Sequence, residues 1–142
     1  MRKQAAASLA YQKTDAKGRI EGQDPRELIV SLYEKAASCL KSACLILEAG
    51  KLSDDDWEKR IQANELFHKN TSKVLQIFVA LRQLLDFENG EPVASQLDAT
   101  YQTLTASIYS ATKSKNADDM AKLSEAVEGL RDAWKQAASA SL

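Results

Sequence analysis

Cysteine, proline, glycine and histidine are all scarce in this sequence. Its 142 residues include two cysteines, two prolines, five glycines and one histidine. So few cysteines and histidines exclude a disulfide framework and the usual zinc ligand sets, and we expect neither metal nor cofactor. The shortage of proline and glycine favours long helices. No apolar run approaches a membrane span or the core of a signal peptide, so we predict a cytoplasmic protein with no membrane-inserted segment.

An excess of charge of either sign is also lacking. The chain carries 19 basic and 20 acidic residues, spread along its length, for a formal net charge of -1. This distribution offers no basic face for nucleic acid and no polybasic membrane anchor. The sequence has no glycine-rich phosphate loop and no Ser-His-Asp set. We therefore predict a protein that is not an enzyme and whose partner is another protein.

The sequence does contain four stretches with the helical period. The first opens at Asp24, which suits an N-cap, followed by Pro25 in the first turn and Glu27 in a capping-box position. It runs to about Leu47. Its apolar face is wider than a coiled-coil seam requires, so we expect this helix to touch two neighbours.

Three further helices follow after short connections. Gly50 should end the first helix, and Ser53 is predicted to cap a second that runs to about Leu85. We predict one continuous helix here, although three weak helix formers at 70–72 could bend it. Pro92 marks the start of the third helix and Asn116 caps the fourth, whose inward stripe includes Leu130 and Trp134.

Four long helices joined by short loops predict an all-α, antiparallel four-helix bundle. We place the bundle at 24–138, a flexible N-terminal arm at 1–23 and a frayed tail at 139–142. Cys39 and Cys44 lie five residues apart on one helix, roughly 140° round its axis, so they cannot pair without breaking it. We interpret both as small buried apolar residues.

The single histidine leaves one catalytic alternative open. Glu65 and His68 have the Glu-x-x-His spacing of di-iron bundles, but such a site needs a second copy and two more carboxylates. Phosphotransfer through an exposed histidine requires only His68, although the glycine-bearing surroundings typical of that class are missing. Replacing His68 by Gln would abolish phosphotransfer and leave a binding function unchanged.

Four short motifs, in this order, resemble those of the FliS family, the flagellin-specific export chaperones of the bacterial flagellum. They are AYQ at 10–12, DPRELIVSLY at 24–33, LDFENG at 85–90 and LRDAWKQA at 130–137. The resemblance implies a four-helix bundle that holds flagellin monomers in the cytoplasm through their C-terminal helical segment. The sequence leaves contacts with the export gate and with regulators open. A generic four-helix adaptor with another protein client remains the alternative.

The apolar positions that exceed what one core stripe needs are candidates for a client groove. On the second and third helices these are Ile61, Leu75, Ile77, Leu84, Tyr101 and Ile108. Two large apolar residues, Tyr11 and Ile20, stand out in the otherwise small and polar arm. We predict that these two cover the groove in the free protein and leave when flagellin binds.

Overall fold

Four α-helices make up the bundle in a computed structural model, which describes residues 10–11 and 25–140. They are α1 (Pro25–Glu48), α2 (Trp57–Gln83), α3 (Val93–Ser114) and α4 (Ala117–Ala140), with a single 3-10 turn at Lys51–Ser53 between α1 and α2. No strand occurs among these described residues. The predicted all-α four-helix fold is confirmed. Asp24 and Ile20, together with most of the predicted arm, lie outside the described residues.

The start of α2 differs from our prediction. Asp56, and not Ser53, is its N-cap: the backbone N–H groups of Glu58 and Lys59 donate to the Asp56 carboxylate, at 3.0 and 3.5 Å. Gly50 ends α1 in the left-handed conformation, with φ of 65°, and the chain then forms the 3-10 turn. Because Ser53 donates its N–H to the Gly50 carbonyl inside that turn, the helix starts three residues later than predicted.

The middle of α2 is continuous, as predicted. Thr71 is buried, and its hydroxyl donates to the Phe67 carbonyl at 3.1 Å. A threonine that bonds the carbonyl four residues back satisfies its polar group within the helix, so it does not have to break it. At the other predicted cap, the Asp119 N–H donates to the Asn116 side chain at 3.0 Å. Helix α4 continues to Ala140, two residues past the predicted end of the bundle.

The packing follows the predicted antiparallel order. Helix α1 packs most extensively against α4 and α2, so it has the two neighbours that its wide apolar face indicated. Helix α3 packs against α2 and makes a smaller contact with α4. The centre of the core is aromatic, with Tyr33, Phe78 and Tyr101 in mutual ring contact. Cys39 and Cys44 are buried free thiols, and Trp134 is buried with Leu130 packed beside the core.

Candidate functional site

Two residues of the N-terminal arm are docked into the bundle. Ala10 is fully buried and Tyr11 is only 3% exposed. The Tyr11 hydroxyl bonds the Tyr101 hydroxyl at 2.7 Å, and its ring lies edge-on to Trp134 with centroids 5.6 Å apart. The Ala10 carbonyl accepts a hydrogen bond from the Asp86 N–H at 2.6 Å. We call the receptor for these two residues the arm seat; it consists of the side chains of Tyr33, Tyr101 and Trp134 and the backbone N–H of Asp86.

Three phenol groups meet in the arm seat. Tyr101 lies between the other two, since its hydroxyl also bonds that of Tyr33, at 2.6 Å. It has one proton, so it donates in at most one of these bonds and accepts in the other or in both. Burial, reinforced by the neighbouring phenols, raises the pKa of Tyr11, Tyr33 and Tyr101 above the ordinary value of 10. All three are therefore neutral near neutral pH, and their contribution to docking comes from hydrogen bonding and packing.

The turn between α2 and α3 holds the Asp86 N–H in place. The Asp86 side chain is buried, and its carboxylate accepts from the N–H groups of Glu88 and Asn89, at 3.1 and 3.2 Å. The side-chain amide of Asn89 donates to the second oxygen of the Asp86 carboxylate, at 3.0 Å. A carboxylate bonded three times by residues 88 and 89 fixes the backbone that follows it in the turn. The Asp86 N–H, which donates to the Ala10 carbonyl, is therefore held in place by this turn.

A second feature is an accessible apolar surface along α2 and α3. On α2, Trp57, Ile61, His68, Leu75 and Val79 recur at spacings of four and seven, which places them on one side of the helix. On α3, Asp98, Gln102, Thr105 and Tyr109 recur at spacings of four and three on one side, and Tyr109 is the large apolar residue among them. An ion pair between Arg82 and Asp98, at 2.7 Å, shows that these two sides meet. We call these nine residues the α2–α3 face.

The α2–α3 face contains most of the exposed large apolar side chains in the described part of the chain. Trp57 is 60% exposed and Tyr109 63%, while Ile61 and Val79 are close to half exposed. A hollow of about 420 Å³ opens beside Val79 and Phe87, and a larger one of about 570 Å³ is lined by residues that include Ile61 and His68. Surfaces of this kind on a monomer are typical of sites that bind other proteins.

The six predicted groove residues do not form one surface. Ile61 and Leu75 lie on the α2–α3 face, and Leu84 is half-buried at the end of α2. Ile77, Tyr101 and Ile108 are buried in the core. Ile77 points roughly 160° away from Ile61 round the helix axis, and Tyr101 lies beneath the docked Tyr11. Whether any of the six contacts a client stays a prediction.

Sequence reasoning missed four exposed residues near this face, namely Trp57, Val79, Phe87 and Tyr109. Trp57 stands four residues before Ile61 and lies in the same apolar stripe of α2. Ten residues separate it from the fully buried Phe67, and this spacing turns the two side chains roughly 80° apart. The signal was present in the sequence, since α2 has two apolar stripes and one helix side cannot bury both.

His68 is exposed on the α2–α3 face. Within residues 10–11 and 25–140, histidine, cysteine and carboxylate side chains do not gather in groups that could hold a metal ion. None of the described helices is both long and apolar enough to cross a membrane.

These features define an all-α four-helix bundle that buries a short segment of its own chain, Ala10 and Tyr11, against Tyr101 and Trp134. One family model, described as flagellar protein FliS, matches residues 6–141. The chain therefore belongs to the FliS family. This is a family of flagellar chaperones, so the match supports a chaperone role and disfavours the phosphotransfer alternative. No individual curated protein matches the chain closely enough to be compared with it.

Proposed function

We propose that this protein is a cytoplasmic export chaperone that binds the C-terminal helical segment of flagellin. By covering that segment it keeps flagellin monomers from polymerising early and keeps them competent for export. The observation that carries the proposal is the α2–α3 face, where apolar side chains recur at helical spacing on an accessible surface. An amphipathic client helix presents anchors with the same periodicity, which is the helix-in-groove mode of recognition.

The dimensions of the α2–α3 face suit such a client. Trp57 and Val79 are separated by 22 residues of continuous helix, which corresponds to roughly 33 Å. A helical client segment of that length makes about six turns and presents several apolar anchors along one side. Ordering a segment of this size costs several kcal/mol, roughly 2–5, so a long contact is needed for tight binding.

We propose in addition that the arm competes with the client for the arm seat, which shares no residue with the α2–α3 face. Tyr11 shows that this part of the chain can fold back onto the bundle and bury an aromatic ring there. A client that reaches the arm seat has to displace it. The matching role proposed for Ile20 rests on sequence alone.

Calorimetric titration with the C-terminal segment of flagellin from the same organism tests the proposal. We expect one-to-one binding with a negative heat-capacity change, since apolar surface becomes buried. Two variants of α2 form a matched pair, because Ile61 is 44% exposed on the α2–α3 face and Leu66 is 49% exposed on a different side. Ile61→Asp should weaken binding at least about fivefold, the effect typical of an interface anchor, and Leu66→Asp by less than about twofold.

Two outcomes would count against the proposal. Equal loss of affinity in Ile61→Asp and Leu66→Asp would remove the α2–α3 face as the binding surface. No binding of the peptide or of full-length flagellin would indicate a client other than flagellin, as in the adaptor alternative.

A further inference from the structure

The arm seat is more selective than an apolar groove needs to be. It makes one polar contact with each of the two residues that it holds: the Asp86 N–H donates to the Ala10 carbonyl, and the Tyr101 hydroxyl bonds the Tyr11 hydroxyl. Residues from α1, α3, α4 and the α2–α3 turn all contribute. Covering an apolar surface explains the edge-on contact of Tyr11 with Trp134. It does not explain the two polar contacts.

The Tyr101 hydroxyl distinguishes a phenol from a plain phenyl ring. Tyr101 is fully buried, and Tyr11 and Tyr33 provide its two hydrogen-bonding partners. A phenylalanine in place of Tyr11 would fill nearly the same volume but would leave the Tyr101 hydroxyl without one partner. The bond with Tyr33 would remain, so Tyr101 would be left partly unsatisfied in a buried position, where a missing hydrogen bond costs free energy. The seat should therefore hold tyrosine about fivefold to thirtyfold more tightly than phenylalanine.

The position before the tyrosine is restricted as well. The Ala10 side chain is completely buried, so a larger residue would have to displace packed core atoms. Its carbonyl must also reach the Asp86 N–H, which the turn holds in a fixed direction. A ligand for the seat needs a small residue, with a free backbone carbonyl, directly before its aromatic residue.

From this geometry we infer that the arm seat is a binding site for a peptide segment that presents a small residue followed by tyrosine. Ala10 and Tyr11 fill it in the free protein. A client segment with the same pair takes their place, a step that rests on the proposed function. The docked arm therefore indicates which residues a client segment needs in order to bind the arm seat.

The receptor for the test is the full-length chain with Tyr11→Ala, which empties the seat, and with Trp57→Phe, which leaves Trp134 as its single tryptophan. The probe is a synthetic peptide of residues 5–16, and binding is followed by Trp134 fluorescence and by calorimetry. We expect the peptide with tyrosine to bind about fivefold to thirtyfold more tightly than the same peptide with phenylalanine. The same peptide with Ala10→Leu should bind at least about tenfold more weakly.

Adding Tyr101→Phe to the receptor is the decisive control. Without the Tyr101 hydroxyl, the two aromatic peptides should bind within about twofold of each other. Circular dichroism must show that each receptor is folded. The inference is overturned if the phenylalanine peptide binds as tightly as the tyrosine peptide while Tyr101 is present. Absence of binding by the tyrosine peptide at millimolar concentration overturns it too.

The client step is tested separately, with an array of overlapping segments of the organism's flagellin probed with the same receptor. Binding should concentrate on segments that contain a small residue before a tyrosine, and should fall when that tyrosine is changed to phenylalanine. Binding without this preference, or a flagellin without such a pair, overturns the client step. Failure of the proposed function would look different, because full-length flagellin would then not bind the wild-type protein while the arm peptide still bound the empty seat.

Discussion

Truncating Tyr11 to alanine measures how strongly the arm is docked. Burial of the Tyr11 ring contributes roughly 1.5–3 kcal/mol, and its hydroxyl bond and the neighbouring Ala10 carbonyl bond each add about 0.5–1.5 kcal/mol. Ordering the backbone of two residues costs about 1–2 kcal/mol each. At the middle of each range, the difference leaves a docking free energy of about 1 kcal/mol. We expect Tyr11→Ala to lower the free energy of unfolding by that amount.

The size of the loss distinguishes a releasable arm from a permanent part of the core. Replacing a large aromatic residue by alanine in a core that cannot rearrange costs about 3–5 kcal/mol. An arm that can leave loses no more than its docking free energy. A loss above about 3 kcal/mol would therefore refute the idea that a client can displace the arm. A loss below about 0.3 kcal/mol would mean that the contacts seen at Tyr11 contribute nothing to stability.

Urea unfolding followed by circular dichroism gives this quantity, provided that the dependence on urea is unchanged between variants. Tyr109→Ala is the matched control, since it removes the same side chain from a position that is 63% exposed. We expect its effect to stay within about 0.5 kcal/mol. A comparable loss in both variants would show that the measurement does not report on docking.

Three further predictions concern the α2–α3 turn, the buried phenols and the Cys44 thiol. Asp86→Ala should lower the free energy of unfolding by about 2–3 kcal/mol in urea titrations, because three donors of the α2–α3 turn lose a buried acceptor. Stability should be unaffected by the phenols below pH 10 and fall above it, because the folded protein keeps protons that the unfolded chain releases. Tyr11→Phe removes one of these phenols, so its stability should fall less steeply above pH 10, by about 1.4 kcal/mol per pH unit. Thermal melting at increasing pH measures this fall. An unchanged slope would contradict the burial of Tyr11. Burial raises the pKa of the Cys44 thiol, so this thiol should react with a thiol reagent only after denaturant is added.

The helices were predictable because their signals are local. Asn116 and Gly50 act within a few residues of the helix ends that they define, and the structure uses both. The start of α2 was harder, since Ser53, Asp54, Asp55 and Asp56 are all good N-cap residues within one stretch. Which of them caps the helix depends on the 3-10 turn that follows Gly50. That turn has no distinct sequence signal.

The accessible face of α2 could be predicted only in part. Two apolar stripes run along this helix, one through Phe67, Val74 and Phe78 and the other through Ile61, Leu75 and Val79. Periodicity shows that both exist. It does not tell which one faces the core, because that depends on where α1 and α3 pack.

The arm seat could not be derived from spacing. Tyr101 bonds two hydroxyl groups that lie 90 and 68 residues away in the sequence, and helical periodicity contains no information about such pairs. The apolar period of α3 identified Tyr101 as a position of interest, and composition singled out Tyr11 in its polar surroundings. That the two meet is a property of the tertiary fold.

The hydroxyl groups of Tyr11, Tyr33 and Tyr101 suit an arm that both docks on the bundle and is released from it. Three phenylalanines would fill nearly the same volume without the cost of burying hydroxyl groups. The arm would then be bound through burial of apolar surface alone. With tyrosines, water reaches the Tyr101 hydroxyl once Tyr11 has left. The hydroxyl then bonds water in place of Tyr11, which lowers the free-energy cost of release. The phenols thus make docking specific for tyrosine and keep its net free energy small. Both properties are needed if the arm fills the seat in the free protein and yields it to a client.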